Sequence, residues 1–235
     1  MQHPTNKRNC LITGCSGYIG SYIAKHLADQ NWQIWGISRK NEVALANPTI
    51  NWIIGDLLDP VKLDEITKSL SKNYSFDAII HCLGFSPDNT ILNLDANQFK
   101  QSLISNFSAI QKINSALTTK LSKNSSIIHL GSRVAVVGNP GQIAYGTAKG
   151  ILIDYTKLLA KELGPQGTTV NLILPGVHPS DILGPHRQQI MDTAKQSSFL
   201  QKLTDIEDVV NAVTYLINAR SVTGQIFSIE SRLVE

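Results

Sequence analysis

Short apolar segments alternate with helical patterns along the whole chain. Apolar runs that predict strands cover 9–14, 32–38, 50–56, 77–84, 126–132, 168–176 and 224–230. Helical periodicity covers 18–30, 60–72, 97–121, 144–163 and 204–218, the last opening like a capping box from Thr204 to Glu207. Because the strands are continuous apolar runs rather than in–out alternations, they are typical of a sheet covered on both faces. The pattern predicts an α/β, doubly wound domain with a mostly parallel sheet of about seven strands.

The length and composition predict one globular domain. The chain has 235 residues, of which 42% are hydrophobic and 17% charged. We interpret 1–8 as an N-terminal tail and 9–235 as a single domain. No apolar run approaches 18 residues and the tail lacks an apolar core, so we expect neither a membrane span nor a signal peptide. Three cysteines without a CxxC pair fit a reducing compartment, which predicts a cytoplasmic protein.

Charge and ligand spacing argue against two other classes of protein. A formal net charge of +3 is too small to predict nucleic-acid binding. The six histidines and three cysteines form neither an HExxH motif nor a zinc-finger spacing, so no metal site is expected. The segment GCSGY does not have the spacing of a GxSxG hydrolase elbow.

Three glycines stand three residues apart in TGCSGYIG (13–20), between the first strand and the first helix. Gly14, Gly17 and Gly20 would let backbone N–H groups approach a pyrophosphate, and the helix N-terminus favours negative charge there. A sharp strand-to-helix turn without a ligand would need the same glycines. The position between strand and helix favours a dinucleotide site.

The ends of the second and third strands refine this prediction. The second ends in Ser38, Arg39 and Lys40, without the acidic residue that usually binds the ribose of NAD. Arg39 could pair with a 2′-phosphate and Ser38 could hydrogen-bond it, which favours NADP(H). Alternatively, Arg39 and Lys40 are solvated loop charges. Asp56 could accept from the adenine amino group or cap the following turn.

A tyrosine and a lysine share one face of a predicted helix. Tyr145 and Lys149 are four residues apart, and a nearby ammonium is expected to lower the pKa of a phenol. Tyr145 could then protonate a carbonyl oxygen as hydride reaches its carbon. Ser132, at the end of the fifth strand, could hydrogen-bond the same oxygen. A YxxxK pair also occurs by chance, and Ser132 could simply cap a loop.

Taken together, these motifs resemble the short-chain dehydrogenase/reductase family over nearly the whole chain. The resemblance implies a Rossmann-type fold and a catalytic set of Asn106, Ser132, Tyr145 and Lys149, with Asn106 interrupting the long helix and holding a water that relays protons to the lysine. LPGVHPSD resembles the segment that contacts nicotinamide. The implied NADP(H)-binding residues are Gly14, Ser16, Gly17, Tyr18, Ile19, Gly20, Ser38, Arg39, Asp56, Leu57, Cys82, Leu83, Gly84, Tyr145, Lys149, Pro175, Gly176 and Val177.

Within the family, the chain looks most like 3-oxoacyl-(acyl-carrier-protein) reductases. This implies NADPH-dependent reduction of a 3-oxoacyl thioester, with an acyl carrier protein docking near Lys120, Lys123 and Arg133, and a homotetramer or dimer. A second basic position of those enzymes is Gln166 here. One alternative is a reductase or dehydrogenase of a free small ketone or alcohol, and another is a non-catalytic NADP-binding role. The irregular stretch 177–203 is interpreted as a substrate lid, and the walls near 84–96 and 133–142 would also set specificity.

Three features depart from the family's compact branch. The glycines follow the spacing of its extended branch, although 235 residues leave no room for that branch's extra substrate domain. HCLG (81–84) puts Cys82 where an asparagine normally braces the sheet. The terminal SIESRLVE (228–235) replaces a common Asp-Gly-Gly. These departures bear on the substrate and the subunit contacts and leave the four catalytic positions unchanged.

Overall fold

A computed structural model describes residues 7–39 and 49–232. Lys40 and most of the predicted tail lie outside the described residues. The described part forms one sheet of seven parallel strands in the order β3-β2-β1-β4-β5-β6-β7. The strands are β1 Asn9–Thr13, β2 Gln33–Ser38, β3 Ile50–Ile54, β4 Phe76–His81, β5 Leu121–Leu130, β6 Thr169–Leu174 and β7 Ile226–Ser228. The predicted fold class is therefore confirmed, with a sheet that is wholly parallel.

The strand order reverses between β1 and β4. After β3 the chain returns to the other side of β1 to form β4, so the connections after β1 and β4 leave toward opposite faces. This switch point opens a crevice at the C-terminal edge of the sheet, where doubly wound folds bind ligands. The glycine loop follows β1 and Cys82 follows β4, so both stand at this crevice.

Helices cover both faces of the sheet. The α-helices are α1 Tyr18–Asp29, α2 Pro60–Asn73, α3 Ala96–Leu103, α4 Ala109–Leu117, α5 Val134–Val137, α6 Ile143–Leu163, α7 Arg187–Gln196 and α8 Ile206–Asn218. On one face, α1 and α8 pack against Cys10 and Ile12 of β1. On the other, α2, α4 and α6 share a core with Leu11. Because successive strand side chains point to opposite faces, both sets must be apolar, which explains the continuous apolar runs.

The helix predicted over 97–121 is interrupted and ends earlier. It begins as α3 behind a capping box of Asp95 and Gln98, passes through a π-helical turn over Ile104–Ser108, and continues as α4. A 3-10 turn over Thr118–Lys120 ends it, and β5 already begins at Leu121. The interruption predicted at Asn106 is therefore present.

The capping box predicted at Thr204 and Glu207 is wrong. Helix α8 begins at Ile206 behind Asp205. The Thr204 side chain instead packs on Gly176, where an added Cβ would lie 2.5 Å from the Thr204 Oγ1. The predicted lid over 177–203 contains a 3-10 turn, Asp181–His186, and then α7.

The described residues contain neither a membrane-spanning helix nor a cluster of metal ligands. Within 7–39 and 49–232 no helix has the length and apolarity needed to cross a bilayer. The same ranges hold no group of three His, Cys, Asp or Glu side chains that could bind a metal ion.

A chain of buried polar side chains ties the strand ends together. His81 Nε2 lies 2.8 Å from Asn114 Oδ1, and Asn114 Nδ2 lies 3.2 Å from His129 Nε2. At the two ends, Thr13 Oγ1 lies 3.2 Å from His81 Nδ1 and Thr156 Oγ1 lies 2.8 Å from His129 Nδ1. All five side chains are buried. We call these five residues the histidine chain; it links β1, β4, α4, β5 and α6.

Both imidazoles of the histidine chain are neutral at physiological pH. Burial lowers the pKa of His81 to about 4 and holds that of His129 well below its ordinary value. The nearby Lys149 ammonium pushes both pKa values in the same direction. Protonation would therefore place a charge in a region buried away from solvent.

We expect acid to destabilise the protein through His81. Its pKa is about 6.5 in an unfolded chain and about 4 in the fold, so the unfolded state binds more protons between these values. Stability is therefore lost as the pH falls through this window, by about 2 kcal/mol at pH 5 from this group alone. In urea unfolding at pH 7.5 and 5.0, His81→Gln should lose less stability than the wild type by about this amount. Equal losses in both proteins would contradict the assignment.

Candidate active site

One large cavity opens at the C-terminal edge of the sheet. Its volume is about 870 Å³, within the range of small-molecule and cofactor sites. Residues that follow each strand from β1 to β6 line it, and so does the predicted lid. Every residue that the sequence assigned to cofactor binding lines this cavity, as does Ser132. Asn106 lies behind the wall.

The glycine loop is packed too tightly for side chains. Gly14 has a φ of +66°, and an added Cβ would stand 2.6 Å from the Cys82 carbonyl oxygen at the end of β4. An added Cβ on Gly20 would stand 3.0 Å from the Cα of Cys15. Among the described residues no side chain caps the start of α1, and its first turn carries no acidic residue. The amides at this helix N-terminus therefore face the cavity as a site for an anion.

The ends of β2 and β3 form another part of the cavity wall. The Ser38 hydroxyl donates to the Ser16 hydroxyl over 3.1 Å, which joins β2 to the glycine loop. Arg39 is exposed and lines the cavity. Asp56 Oδ1 accepts from the Leu58 amide at 3.0 Å, so this carboxylate caps the turn after β3, one of its two predicted roles.

Tyr145 lies in the first turn of α6 beside Ser132. Burial raises the pKa of Tyr145 to about 12, and the nearby Asp88 carboxylate adds to the rise, whereas a hydrogen bond with Ser132 lowers it. The expectation that Lys149 lowers the pKa of Tyr145 is therefore wrong for the protein alone, because the cost of burying a phenolate is the larger effect. At neutral pH the phenol is protonated and is a hydrogen-bond donor.

Lys149 is buried, with its ammonium between two strand ends. Nζ donates to the Leu83 carbonyl at 2.7 Å and to the Leu130 carbonyl at 2.8 Å. It lies 5.9 Å from the centroid of the Tyr145 ring. Burial lowers the pKa of Lys149 to about 8. The side chain therefore ties α6 to the residues that follow β4 and end β5.

Asn106 holds the loop after β4 through its side chain. Its Oδ1 accepts from the Phe85 amide at 3.2 Å, and its Nδ2 donates to the Phe85 carbonyl at 2.8 Å and to the Ser102 carbonyl at 2.9 Å. The side chain is fully buried in the π-helical turn. The side-chain amide of Asn106 is thus occupied by hydrogen bonds to the protein. A water that relays protons can therefore contact Asn106 only through its main chain.

Two loops meet over the mouth of the cavity, at the walls named from the sequence. The Asn89 amide donates to the Gly141 carbonyl at 2.7 Å, and Gln142 Nε2 donates to Asp88 Oδ1 at 3.1 Å. Sequence reasoning did not single out Asp88, although it is the carboxylate that acts on the pKa of Tyr145. No local motif marks it, because its effect comes from a contact between distant loops.

The base of the lid contacts the glycine loop. His178 Nε2 donates to the Pro175 carbonyl at 2.7 Å, and its ring stacks on Tyr18 with centroids 5.9 Å apart. Beyond it, Ile182, Leu183 and Ile190 face the cavity. His178 was also missed by sequence reasoning. The lid thus adds an apolar wall to a site that is otherwise enclosed by the strand ends and the loops that follow them.

Two of the three basic residues predicted near the mouth are at the other edge of the sheet. Lys120 precedes β5 and Lys123 lies near its start, whereas the cavity opens where β5 ends at Leu130. A strand rises about 3.3 Å per residue, so Lys123 is roughly 20 Å from that end. The prediction that they flank this chain's own site is therefore wrong. Only Arg133, next to Ser132, lies at the correct edge.

Comparisons with known proteins identify a family model and relatives of similar sequence. The family model described as enoyl-(acyl carrier protein) reductase matches residues 15–231. The 3-oxoacyl-(acyl-carrier-protein) reductase of Buchnera aphidicola is 28% identical over 233 residues, covering 93% of this chain and 94% of that protein.

Solved structures agree with the fold. A short-chain dehydrogenase from Burkholderia cenocepacia, in complex with NADP, has a TM-score of 0.86 at 26% identity, covering 96% of this chain and 97% of that one. A short-chain dehydrogenase family protein from Francisella tularensis has a TM-score of 0.87 at 22% identity, covering 96% and 98%.

We expect Gly14→Ala to be more damaging than Gly224→Ala. Both glycines have positive φ, +66° and +72°, so both substitutions should cost roughly 1 kcal/mol in backbone strain. A Cβ on Gly224 would meet only the Ala160 Cβ, at an ordinary 3.6 Å. The collision of Gly14 with the Cys82 carbonyl should add about 1–3 kcal/mol. Urea unfolding of the two variants measures this difference, and equal stabilities would contradict the close packing of the loop against β4.

Proposed function

The chain belongs to the short-chain dehydrogenase/reductase family, and on that premise we propose that it reduces a ketone to a secondary alcohol with NADPH. The observation that carries the proposal is the protonated phenol of Tyr145 beside Ser132, in the cavity that the glycine loop and Lys149 also line. A group that holds its proton at neutral pH suits the delivery of a proton to a carbonyl oxygen.

The residues fit a dinucleotide phosphate cofactor. The side-chain-free loop at Gly14 and Gly20 lets the backbone approach a pyrophosphate, and the amides of α1 face it. The NADP complex of the Burkholderia relative supports the same assignment. When bound, NADPH supplies the hydride for the reduction. Pro175, Gly176 and Val177 would contact its nicotinamide end.

The choice of NADP(H) over NAD(H) rests on the end of β2. Ser38 and Arg39 line the cavity there. None of the residues 38–40 is acidic, so this segment has no carboxylate that would repel a 2′-phosphate. An exposed guanidinium can form paired hydrogen bonds to a phosphate. Arg39 is therefore the residue to which we assign cofactor preference.

The four proposed catalytic residues have different tasks. Tyr145 donates the proton to the carbonyl oxygen, and Ser132 donates a second hydrogen bond that orients this oxygen. The Lys149 ammonium stabilises the phenolate left behind, in a partly dry site where a charge acts strongly. Asn106 holds the loop around Phe85, and we assign its main chain to the water that returns a proton toward Lys149.

The substrate we propose is the 3-oxo group of an acyl thioester. The named activity of the Buchnera relative supports it, and Ile182, Leu183 and Ile190 of the lid provide an apolar wall for an alkyl chain. Of the three basic residues predicted to meet an acidic carrier protein, Arg133 is the one that lies at the edge of the sheet where the cavity opens. A free small ketone is the alternative substrate, and only the lid and the two walls would distinguish them.

Self-association is part of the same proposal. Leu158 on α6 and Tyr215 on α8 are exposed by 58% and 60%, and both are side chains that a second copy could cover. We propose a homotetramer or dimer on this basis and on the resemblance to the family.

Substituting Arg39 should change cofactor preference. Loss of charged hydrogen bonds to a 2′-phosphate should lower kcat/KM for NADPH about 10- to 100-fold in Arg39→Ala and change that for NADH less than about threefold. Lys161→Ala, an exposed residue near the end of α6, removes the same charge away from the cavity and is the control. Equal losses with both cofactors, or an equal loss in the control, would contradict the assignment.

Tyr145→Phe should abolish turnover without abolishing cofactor binding. Removal of the general acid should lower kcat at least about 100-fold with a 3-oxoacyl-pantetheine or a small ketone, while Kd for NADPH stays within about threefold. Decay of NADPH absorbance and NADPH fluorescence measure the two quantities. Tyr74→Phe, at the end of α2 and outside the cavity, is the control.

Comparison of the two substrates identifies the preferred class. Turnover with neither substrate, together with tight NADPH binding, would contradict the proposed activity and leave only a binding role.

A further inference from the structure

The histidine chain lies immediately behind the carbonyls that hold Lys149. Leu83 comes two residues after His81, and Leu130 directly follows His129. Lys149 Nζ donates to the main-chain oxygens of Leu83 and Leu130 at 2.7 and 2.8 Å. The two strands that present these carbonyls pair from Ala78 to His81 on β4 and from Ser126 to His129 on β5. Whatever fixes the two imidazoles also fixes the two acceptors of the ammonium.

The hydrogen bonds assign one tautomer to each histidine. Asn114 Oδ1 can only accept, so His81 Nε2 carries a proton and its Nδ1 accepts from the Thr13 hydroxyl. Asn114 Nδ2 can only donate, so His129 Nε2 is the acceptor and its Nδ1 carries the proton. That proton goes to Thr156 Oγ1, whose hydroxyl donates to the Leu152 carbonyl at 2.6 Å.

Every bond in the histidine chain thus points in the same direction. It begins at Thr13, next to Gly14 of the glycine loop, and ends on the backbone of α6, the helix that carries Tyr145 and Lys149. Each bond joins a donor to an acceptor. A reversed Asn114 amide would reverse both tautomers, and His129 Nδ1 and the Leu152 carbonyl would then compete for the one proton of the Thr156 hydroxyl. A buried network that is satisfied in only one arrangement is rigid.

We propose that His81, Asn114 and His129 are positioning residues. They fix the main-chain carbonyls of Leu83 and Leu130, and these two carbonyls hold the Lys149 ammonium where it stabilises the phenolate of Tyr145. The inference rests on the proposed function for its kinetic consequence. Its structural basis does not depend on the substrate.

The charged and titratable groups around the histidine chain agree with this role. Lys149 is the cation that acts on both imidazoles, and each imidazole is kept neutral by burial. The Tyr155 hydroxyl, on α6, accepts a weaker bond from Asn114 at 3.4 Å, and burial raises its pKa. Burial likewise holds Cys82 in the thiol form, its pKa well above the ordinary value. The histidine chain therefore works as a fixed brace and not as a proton path.

Asn114→Leu tests the brace, with Thr168→Val as its matched control. The first leaves two imidazole nitrogens unpaired behind Lys149. The second breaks a buried bond of 2.8 Å to Ser125, which lies in the middle of β5, before the histidine chain. Both should lower the unfolding midpoint. Since small displacements in a catalytic site are costly, only Asn114→Leu should lower kcat, by about tenfold or more, with KM for NADPH within about threefold.

A measurement without substrate separates this inference from the proposed activity. Imidazole ¹⁵N NMR of the wild type should find His81 protonated at Nε2 and His129 at Nδ1 from pH 6 to 9. The Lys149 amine, followed through its ¹³Cε resonance, should titrate near pH 8 and move upward by at least about 0.5 pKa unit in Asn114→Leu, as water reaches the ammonium. It should not move in Thr168→Val.

An unchanged Lys149 titration and unchanged kcat in folded Asn114→Leu would overturn the proposal. So would the opposite tautomers in the wild type. If the wild type reduces no ketone but the Lys149 titration still responds to Asn114→Leu alone, the proposed activity fails and the positioning role stands.

Discussion

The arrangement of the site depends on one buried ammonium. Lys149 is 2% exposed, and its charge is balanced by dipoles: two main-chain carbonyls, one after β4 and one at the end of β5. Burial of a charge is costly unless such partners are fixed in place. Because Lys149 and Tyr145 are one turn apart on α6, the carbonyls also determine where the phenol stands relative to Ser132. The switch point of the sheet, the glycine loop and the lid then enclose the space above the phenol.

Burial affects the two ionisable groups of the pair in opposite ways. It lowers the pKa of Lys149 to about 8 and raises that of Tyr145 to about 12, so each is moved toward its neutral form. Consideration of the pair alone predicts a more acidic tyrosine, but desolvation is the larger effect in the protein without cofactor. A protonated Tyr145 is the form that a carbonyl reduction consumes.

Local sequence signals predicted the fold and the residues lining the cavity. Apolar runs predicted the parallel sheet, and the loop at Gly14 was correctly placed between β1 and α1 because a turn is encoded by adjacent residues. The histidine chain was not foreseen, since His81 and Asn114 are 33 residues apart and no periodicity joins them. Cys82 stands where the family resemblance implies an asparagine that braces the sheet. In the structure it is the neighbouring His81 whose buried side chain bonds to Thr13 and Asn114. Lys123 precedes the strand predicted over 126–132, so the direction of that strand already places this lysine at the edge of the sheet away from the cavity.

The most direct test of the central claim follows the hydrogen atom. NADPH carrying deuterium at both positions of the reactive ring carbon would be incubated with the wild-type protein and a 3-oxoacyl-pantetheine or small ketone, and the product examined by mass spectrometry and NMR. The account predicts one deuterium on the carbon that bears the new hydroxyl, with the hydroxyl proton drawn from water by way of Tyr145. A product without deuterium at that carbon, or no product from a protein that binds NADPH tightly, would contradict it.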